Sequence, residues 1–320
     1  MTKMLRLQKW RRLATGGHAV GELQRRFVEL AWNPLASGTI ARALERQNEL
    51  SARPVTGDVP CVVSLTTYGE RFQRVHLAIE SIARGTVHPA RIILWLDDER
   101  LMENPTPEIS RLISRGLEVR LAQNFGPHTK YFPAVMAGEV GESEALVTAD
   151  DDILYPRRWL QLLRDAARTD PEAIVAHRAH RVTVAGHDIM PYAEWEGCWT
   201  TDTSLSHFAT GVSGVLYPQR MIDELRNRGD AFTEASPKND DIWLHATAVE
   251  AGIGTRQVSP FPWLFPMSPG TQESALAHNN VTLGSNDLQV ARTYQPGAVE
   301  RLRGATVVDG EQALIGGSHD

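Results

Sequence analysis

The segment Leu146-Val-Thr-Ala-Asp-Asp-Asp-Ile-Leu-Tyr-Pro156 places three consecutive aspartates directly after a short apolar run. Apolar runs of this length are typical of buried strands, and proline is common in the first turn of a helix. Three adjacent carboxylates repel one another, so a fold that holds them together needs a cation or hydrogen-bond donors nearby. The segment therefore predicts a strand, an acidic turn and a helix. A solvated turn before the helix is the alternative interpretation, because acidic residues also favour helix N-termini.

The same alternation of apolar runs and amphipathic stretches extends on both sides of this segment. Strands alternating with helices are typical of a parallel α/β sheet with right-handed crossovers, covered on both faces. No Gly-x-x-x-x-Gly-Lys-Ser/Thr motif occurs, and no Gly-x-Gly-x-x-Gly follows the first strand, which argues against a P-loop NTPase or a dinucleotide dehydrogenase. Strands are predicted at 59–66, 91–96, 117–121, 145–149 and 173–176, with helices at 71–84, 107–115, 131–139 and from Pro156 onward.

The N-terminal 55 residues differ from the rest in charge. They hold 10 Lys and Arg against 4 Asp and Glu, whereas the whole chain of 320 residues carries a formal charge of −6. The acidic remainder argues against general nucleic-acid binding. Residues 1–52 have helical periodicity, and either residues 1–13 contact a membrane surface or the helices pack on the body. No apolar run is long enough to span a bilayer, and two cysteines fit a reducing compartment. We therefore expect a cytoplasmic protein, with peripheral contact to the inner membrane face if residues 1–13 bind lipid.

Polar residues gather just after the predicted strands, where ligands bind in open α/β sheets. In extended geometry, Asp150 and Asp152 point to one side and Asp151 to the other, so the first and third are expected to share a divalent cation. Hard carboxylate oxygens suit Mg²⁺ or Mn²⁺. Lys130, in the loop after the third strand, is expected to contact a diphosphate or to be an ordinary surface lysine.

A second acidic pair, Asp240-Asp241, lies near the start of another predicted helix. Ser236 is expected to cap this helix, Pro237 to lie in its first turn and Gly252 to end it. Both aspartates would then interact favourably with the helix dipole, which is the simplest explanation of the pair.

Taken in order, these motifs resemble those of GT-A glycosyltransferases, close to the family 2 nucleotide-sugar transferases of the bacterial polysaccharide type. The resemblance implies an α/β fold with a Rossmann-like, mostly parallel sheet. It covers roughly residues 60–265 and leaves both termini unexplained. We therefore expect three parts: a helical N-terminal extension (1–55), a GT-A domain (56–270) and a C-terminal segment (271–320) packed on or near the active site. The motifs are Val62-Val-Ser-Leu-Thr-Thr-Tyr68, Ile92-Ile-Leu-Trp-Leu-Asp97, Thr148-Ala-Asp-Asp-Asp152, Gly211-Val-Ser-Gly-Val-Leu-Tyr-Pro218 and Asn239-Asp-Asp-Ile-Trp243.

The resemblance also implies roles for individual residues. Asp241 would be the catalytic base, with Asp240 at a position where the family more often has glutamate. The donor would be a nucleotide sugar, more often a uridine one, and the acceptor a glycan or a lipid-linked intermediate, with inversion at the anomeric carbon. The donor-binding residues would be Thr66, Tyr68, Arg71, Asp97, Lys130, Asp150 and Asp151, and Asp150 and Asp152 would hold Mn²⁺ or Mg²⁺.

Acceptor residues and the class of protein remain open at this point. Flat aromatic faces suit sugar rings, so Trp195, Trp199 and Trp243 are acceptor candidates, as is Gly214 through close backbone approach, although either of the first two tryptophans alone is more simply a core or surface anchor. The alternatives are a nucleotidyltransferase with the same acidic metal site and a non-catalytic sugar-binding protein of the same fold. An oligomer is compatible with the sequence.

Overall fold

The computed structural model describes residues 33–270 and 285–305. The strands are β1 (Val59–Thr66), β2 (Pro89–Leu96), β3 (Leu117–Leu121), β4 (Ala145–Thr148), β5 (Ile174–Ala176), β6 (Ala179–Arg181), β7 (Val184–Ala185), β8 (Asp188–Ile189), β9 (Glu196–Gly197), β10 (His207–Ala209), β11 (Val215–Tyr217) and β12 (Thr255–Gln257). The α-helices are α1 (Asn33–Leu50), α2 (Val75–Ala83), α3 (Glu99–Glu103), α4 (Pro107–Ser114), α5 (Phe132–Met136), α6 (Trp159–Thr169), α7 (Gln219–Arg228), α8 (Phe232–Ala235), α9 (Asp240–Ala251), α10 (Ser285–Thr293) and α11 (296–305).

The central sheet has seven strands in the order β12-β5-β11-β4-β1-β2-β3. All neighbouring pairs are parallel except those of β11, which runs antiparallel to β4 and β5. The predicted fold class, a Rossmann-like, mostly parallel sheet flanked by helices, is confirmed. The other described strands form a small three-stranded sheet, β10-β6-β9, and the hairpin β7-β8.

Both faces of the central sheet are covered, as continuous apolar strands require. On β1, Val63 and Leu65 belong to one hydrophobic cluster, which also contains Phe72 of the following turn. Val62 belongs to a second cluster, with Phe132 of α5 on the opposite face. The alternation of neighbouring residues between two cores follows from the two-residue period of a strand.

Several predicted helices are shorter than their apolar pattern suggested. The stretch predicted as one helix at 71–84 is a 3-10 turn, Gly69–Gln73, followed by α2. The two are separated at Arg74, whose φ of −122° and ψ of −10° are not helical. The helix predicted from Pro156 begins at Trp159. This difference places Arg71 on a tight turn at the end of β1 instead of inside a helix.

Helix α1 is held on the body by a buried ion pair. Glu80 of α2 is fully buried and pairs with Arg115, and it accepts hydrogen bonds from Gln47 and Asn48 of α1. Leu44 packs on Leu77, whereas Ala43 and Leu50, which the periodicity placed on the apolar face, are exposed. Within the described residues, the prediction of a helix packed on the body is therefore met by α1. The membrane-contact prediction for residues 1–13 lies outside the described residues.

Helix α10 packs against the start of α9. Gln289 accepts a hydrogen bond from the backbone N–H of Lys238 at 2.9 Å, and Asn286 accepts one from Asn239 at 3.1 Å. The chain between residues 285 and 305 thus buttresses the loop that leads to Asp240. Among the described residues, no helix is long and apolar enough to cross a bilayer.

Candidate active site

The candidate site lies at the edge of the central sheet where β1, β2 and β4 end. The carboxyl ends of parallel strands meet at one edge, so the residues after Thr66, Leu96 and Thr148 come together there. Because β11 runs the opposite way, the residues that precede it, Gly211–Gly214, reach the same edge. This reversal brings a late segment of the chain to the acidic turn.

Asp151 and Asp152 are both held by Arg71. Arg71 Nη1 lies 2.8 Å from Asp151 Oδ1, and Nη2 contacts Asp152 Oδ2. Thr67 donates a second hydrogen bond to Asp151 Oδ2, at 2.6 Å. The guanidinium also lies 5.6 Å from the centre of the Tyr68 ring, in a cation–π contact. The 3-10 turn after β1 therefore supplies the charge that compensates two of the three adjacent carboxylates.

Asp150 is paired with a different cation, Lys130. Its Oδ1 lies 2.9 Å from Lys130 Nζ, and the same Nζ lies 3.1 Å from Asp240 Oδ2. Asp150 and Asp152 therefore contact different cations in this structure, and the prediction of a shared side, which rested on strand alternation, has no support from β4. The reason is that β4 ends at Thr148 and residues 151–152 form a turn, so strand alternation no longer applies.

Lys130 is placed by contacts of its backbone with the centre of the sheet. It ends the 3-10 turn Gly126–Lys130, and its carbonyl accepts a hydrogen bond from Ser64 Oγ at 2.7 Å. Ser64 Oγ in turn accepts one from Trp95 Nε1 at 2.9 Å. The Lys130 side chain is 10% exposed, so it is not the ordinary surface lysine of the alternative prediction.

Asp241 faces Gly211 across the site. The backbone N–H of Gly211 donates to both carboxylate oxygens of Asp241, at 3.0 and 3.1 Å. A Cβ on Gly211 would lie 3.0 Å from Asp241 Oδ1 and 3.1 Å from Lys130 Nζ, so this glycine lets both charged groups approach its backbone closely. The helix begins at Asp240, with Asn239 as its cap, and not at Pro237 with Ser236 as cap. Ser236 Oγ instead donates to the carbonyl of Asn239.

Burial shifts the proton affinity of several of these groups. Burial, reinforced by Asp240, raises the pKa of Asp241 to about 7. Burial, reinforced by Asp150, raises the pKa of Asp152 to about 7 as well. Burial acts to lower the pKa of Lys130, but Asp150 and Asp240 outweigh it and raise that pKa well above its ordinary value. Lys130 is therefore a permanent positive charge in a site where the pKa values of Asp241 and Asp152 are raised to about 7.

The site carries a formal excess of negative charge. The site contains the two cations Arg71 and Lys130 and five aspartates, which are Asp150, Asp151, Asp152, Asp240 and Asp241. When all are ionised, these seven side chains carry a formal charge of −3. Among the described residues, no three carboxylate, imidazole or thiolate groups converge as a complete metal site. The hard oxygens of Asp150 and Asp152 nonetheless fit a partly hydrated Mg²⁺ or Mn²⁺, which needs one or two carboxylates and takes its other ligands from water and phosphate.

The other residues predicted to bind the donor lie at the same edge of the sheet, and two of them form hydrogen bonds with neighbouring residues of the protein. Thr66 Oγ1 donates to the carbonyl of Trp95 at 3.1 Å. Asp97 accepts a hydrogen bond from Asn124 at 2.6 Å, and Tyr68 is 40% exposed beside Arg71. A cleft of about 650 Å³ nearby, lined in part by Phe125, includes none of the five aspartates.

Three of the four acceptor candidates are not accessible. Trp195 is buried and donates from Nε1 to the carbonyl of Met190, and Trp243 is buried beneath α7 and α8. Gly214 has φ of +90°, and a Cβ there would lie 2.5 Å from the Trp159 ring. The close approach predicted at this glycine is therefore to a core tryptophan and not to a sugar. Trp199 is partly exposed.

Two residues of the site carried a signal that the sequence analysis did not use. Ser64 is a buried hydroxyl in the middle of an apolar strand, and Tyr155 lies in the acidic segment itself. The Tyr155 hydroxyl accepts a hydrogen bond from the backbone N–H of Asp150 at 2.7 Å and so fixes the acidic turn. His245, one turn after Asp241, forms its hydrogen bonds with residues other than the aspartates. Its ring nitrogens contact the Tyr294 hydroxyl and the carbonyl of Leu205.

Comparison with solved structures gives a number of matches. The crystal structure of residues 1–349 of TarS from S. aureus matches with a TM-score of 0.40 and 12% sequence identity, over 62% of this chain and 58% of that chain. This chain thus spans somewhat more than half of that one. At this identity and TM-score, the likeness says nothing about activity. No protein-family model matches the chain, and no curated protein matches it.

Proposed function

We propose that the protein is a metal-dependent glycosyltransferase that moves a sugar from a nucleotide-sugar donor, with uridine as the expected base, to a hydroxyl of a glycan or lipid-linked acceptor. The observation that carries the proposal is the meeting of two acidic segments, the turn 150–152 and the first turn of α9 at 240–241, at the carboxyl edge of the sheet with Lys130 between them. The first segment suits binding of a metal and a diphosphate, and the second suits proton removal from the acceptor.

Asp241 would act as the general base. A base is most effective when its pKa lies near the working pH, and burial together with Asp240 raises the pKa of Asp241 to about 7. The N–H of Gly211 orients the carboxylate, and Lys130 favours its ionised form. Attack by the deprotonated acceptor hydroxyl on the anomeric carbon, from the side opposite the nucleotide, would invert the configuration.

Arg71 and Lys130 would stabilise the departing nucleoside diphosphate. Both are fixed by carboxylates before the donor binds, and fixed charges stabilise a developing anion with little reorganisation. Asp150 and Asp152 would hold Mn²⁺ or Mg²⁺, which when bound supplies Lewis-acid stabilisation of the leaving phosphate. The negative excess of the site's own side chains supports this, because a diphosphate adds further negative charge to the same edge.

The test is a thermal-shift screen of the full chain with UDP-, GDP- and CMP-sugars, with and without Mn²⁺. A ligand at 100 times its dissociation constant stabilises a fold by about 2.7 kcal/mol, which is readily measured. We expect one nucleotide class to raise the melting temperature in a Mn²⁺-dependent way. We also expect Asp152→Ala to remove that shift.

A matched control separates the site from general charge effects. Asp98→Asn changes a partly exposed aspartate after β2 that pairs with Arg100, and it should leave the donor shift intact. Asp241→Asn should keep the donor shift and lose donor turnover, measured as nucleotide release. If no nucleotide sugar shifts the melting temperature, the donor site does not exist as proposed.

A further inference from the structure

An exposed aromatic surface, which we call the aromatic shelf, consists of Trp199, Phe261 and Trp263. Phe261 and Trp263 are 54% and 50% exposed, and Trp199 is partly exposed. The Trp199 and Phe261 rings meet edge to face, with 6.0 Å between their centres and an angle of 85°. Large aromatic side chains usually bury most of their surface, so two neighbouring ones exposed by half indicate a functional surface.

The shelf is held rigidly by a buried amide. Gln257, which has no solvent exposure, donates from Nε2 to the carbonyl of Cys198 at 2.8 Å and to that of Ser259 at 3.3 Å. Its Oε1 accepts from the backbone N–H of Ala179 at 2.7 Å. One side chain thus fastens together the two segments that carry the three aromatic rings.

Trp263 is oriented by its polar edge. Its Nε1 donates to Ser259 Oγ at 2.9 Å, and that hydroxyl also donates to the carbonyl of Phe261 at 2.9 Å. The indole N–H is therefore satisfied within the protein, and the exposed part of the ring is free to offer carbon surface. A ring whose edge is fixed binds a flat ligand with little loss of side-chain entropy.

The segment that carries the shelf runs into the candidate active site. The carbonyl of Trp263 accepts a hydrogen bond from Ser213 Oγ at 2.6 Å, and Ser213 is two residues from Gly211, which binds Asp241. Farther along, the backbone N–H of Ser268 donates to the carbonyl of Asp152 at 2.6 Å. Trp263 and Ser268 are five positions apart in the chain, so the two lie within about 18 Å.

We propose that the aromatic shelf binds a pyranose ring of the acceptor glycan, at a distance from the sugar that reacts. The C–H groups on one face of a pyranose are slightly positive, and they pack on the negative face of an aromatic ring. Among the described residues, the exposed large apolar side chains of the segments 196–200 and 259–264 are the two aromatic ones, Phe261 and Trp263, whose ring faces suit such a contact. This inference rests on the proposed function and identifies the acceptor as an oligosaccharide, either free or as the glycan part of a larger molecule.

The test measures binding of fluorescent tetrasaccharides of neutral hexoses, N-acetylhexosamines and uronic acids to the full chain. We expect at least one class to bind and Trp263→Ala to weaken it tenfold or more. Trp263→Phe, which keeps an aromatic face, should recover most of the affinity, and Phe261→Ala should also weaken binding. Leu288→Ala, at a residue 62% exposed elsewhere, is the control and should bind as the original chain does.

The nucleotide thermal shift is measured on the same variants, which separates this inference from the proposed function. A retained donor shift with tetrasaccharide binding lost in Trp263→Ala supports both. Tetrasaccharide binding that depends on Trp263 without any donor shift supports the shelf and overturns the enzyme. Three results would overturn the proposal that the aromatic shelf binds a glycan. The original chain binds no tetrasaccharide, Trp263→Ala binds as well as the original chain, or Trp263→Ala loses self-association and not glycan binding.

Discussion

The Lys130→Met substitution removes the cation that lies between the acidic turn 150–152 and the start of α9. It keeps an unbranched side chain of similar length. In the structure, Lys130 Nζ lies 2.9 Å from Asp150 and 3.1 Å from Asp240, and the lysine side chain is 10% exposed. Removing one partner of a buried ion pair costs about 3–5 kcal/mol, because the remaining charge stays buried without compensation. Asp150 is 26% exposed and can still be hydrated, so we expect the lower end, about 3 kcal/mol.

The assay is thermal and urea unfolding of the full chain at pH 8 with a chelator present. For a chain of this size, 1 kcal/mol lowers the melting temperature by about 2 °C, so Lys130→Met should lower it by about 6 °C. Lys238→Met is the matched control, since Lys238 is exposed on the loop before α9. It should change the stability by less than about 1 kcal/mol.

A double-mutant cycle isolates the pair itself. Combining Lys130→Met with Asp240→Asn should cost at least 1 kcal/mol less than the sum of the single changes, since each single change leaves a buried group uncompensated. If Lys130→Met is no more destabilising than Lys238→Met, and the cycle shows no coupling, then Lys130 does not link the acidic turn 150–152 to the start of α9. The account of the site as one electrostatic unit would then be wrong.

Three further predictions concern the packing and charge of the fold. Gly214→Ala should destabilise by more than about 3 kcal/mol, seen as a large fall in melting temperature, because a Cβ there would lie 2.5 Å from Trp159; a small change would refute this packing. Asp241 has a pKa of about 7 when folded, above the 3.8 of the free group, so its ionisation lowers stability as pH rises from about 4 to 7. Between pH 5 and pH 8, the free energy of unfolding of Asp241→Asn in urea should therefore rise by on the order of 2–4 kcal/mol relative to that of the original chain. Parallel pH profiles of the two free energies would contradict the raised pKa. Glu80→Ala should cost about 3–5 kcal/mol by leaving Arg115 buried without its partner, whereas Glu80→Gln should cost less, and equal costs would argue against the ion pair.

Most strands of the central sheet can be predicted from the sequence, because their signal is local. The apolar run around Val62 and Val63 and the run that ends at Thr148 both form strands where the pattern placed them. Helix boundaries were less predictable. The 71–84 pattern is interrupted at Arg74, and no local feature of composition marks that break.

The acidic residues of the candidate site were all identifiable from the sequence, but their pairing was not. The expectation of a shared side for Asp150 and Asp152 depended on strand geometry that ends at Thr148. Which cation each carboxylate meets depends on a turn after β1 for Arg71 and on a turn after β3 for Lys130. Nothing in the local sequence of the acidic segment contains that information.

The order of apolar and polar residues was enough to define a mostly parallel α/β sheet with aspartates at its carboxyl edge, since periodicity and strand direction are properties of short stretches of chain. The antiparallel course of β11, the approach of Gly211 to Asp241 and the bridging position of Lys130 arise only when segments that are far apart in sequence pack together. Burial at those contacts then sets the charge state of Asp241, because desolvation depends on every neighbour and not on the residue itself.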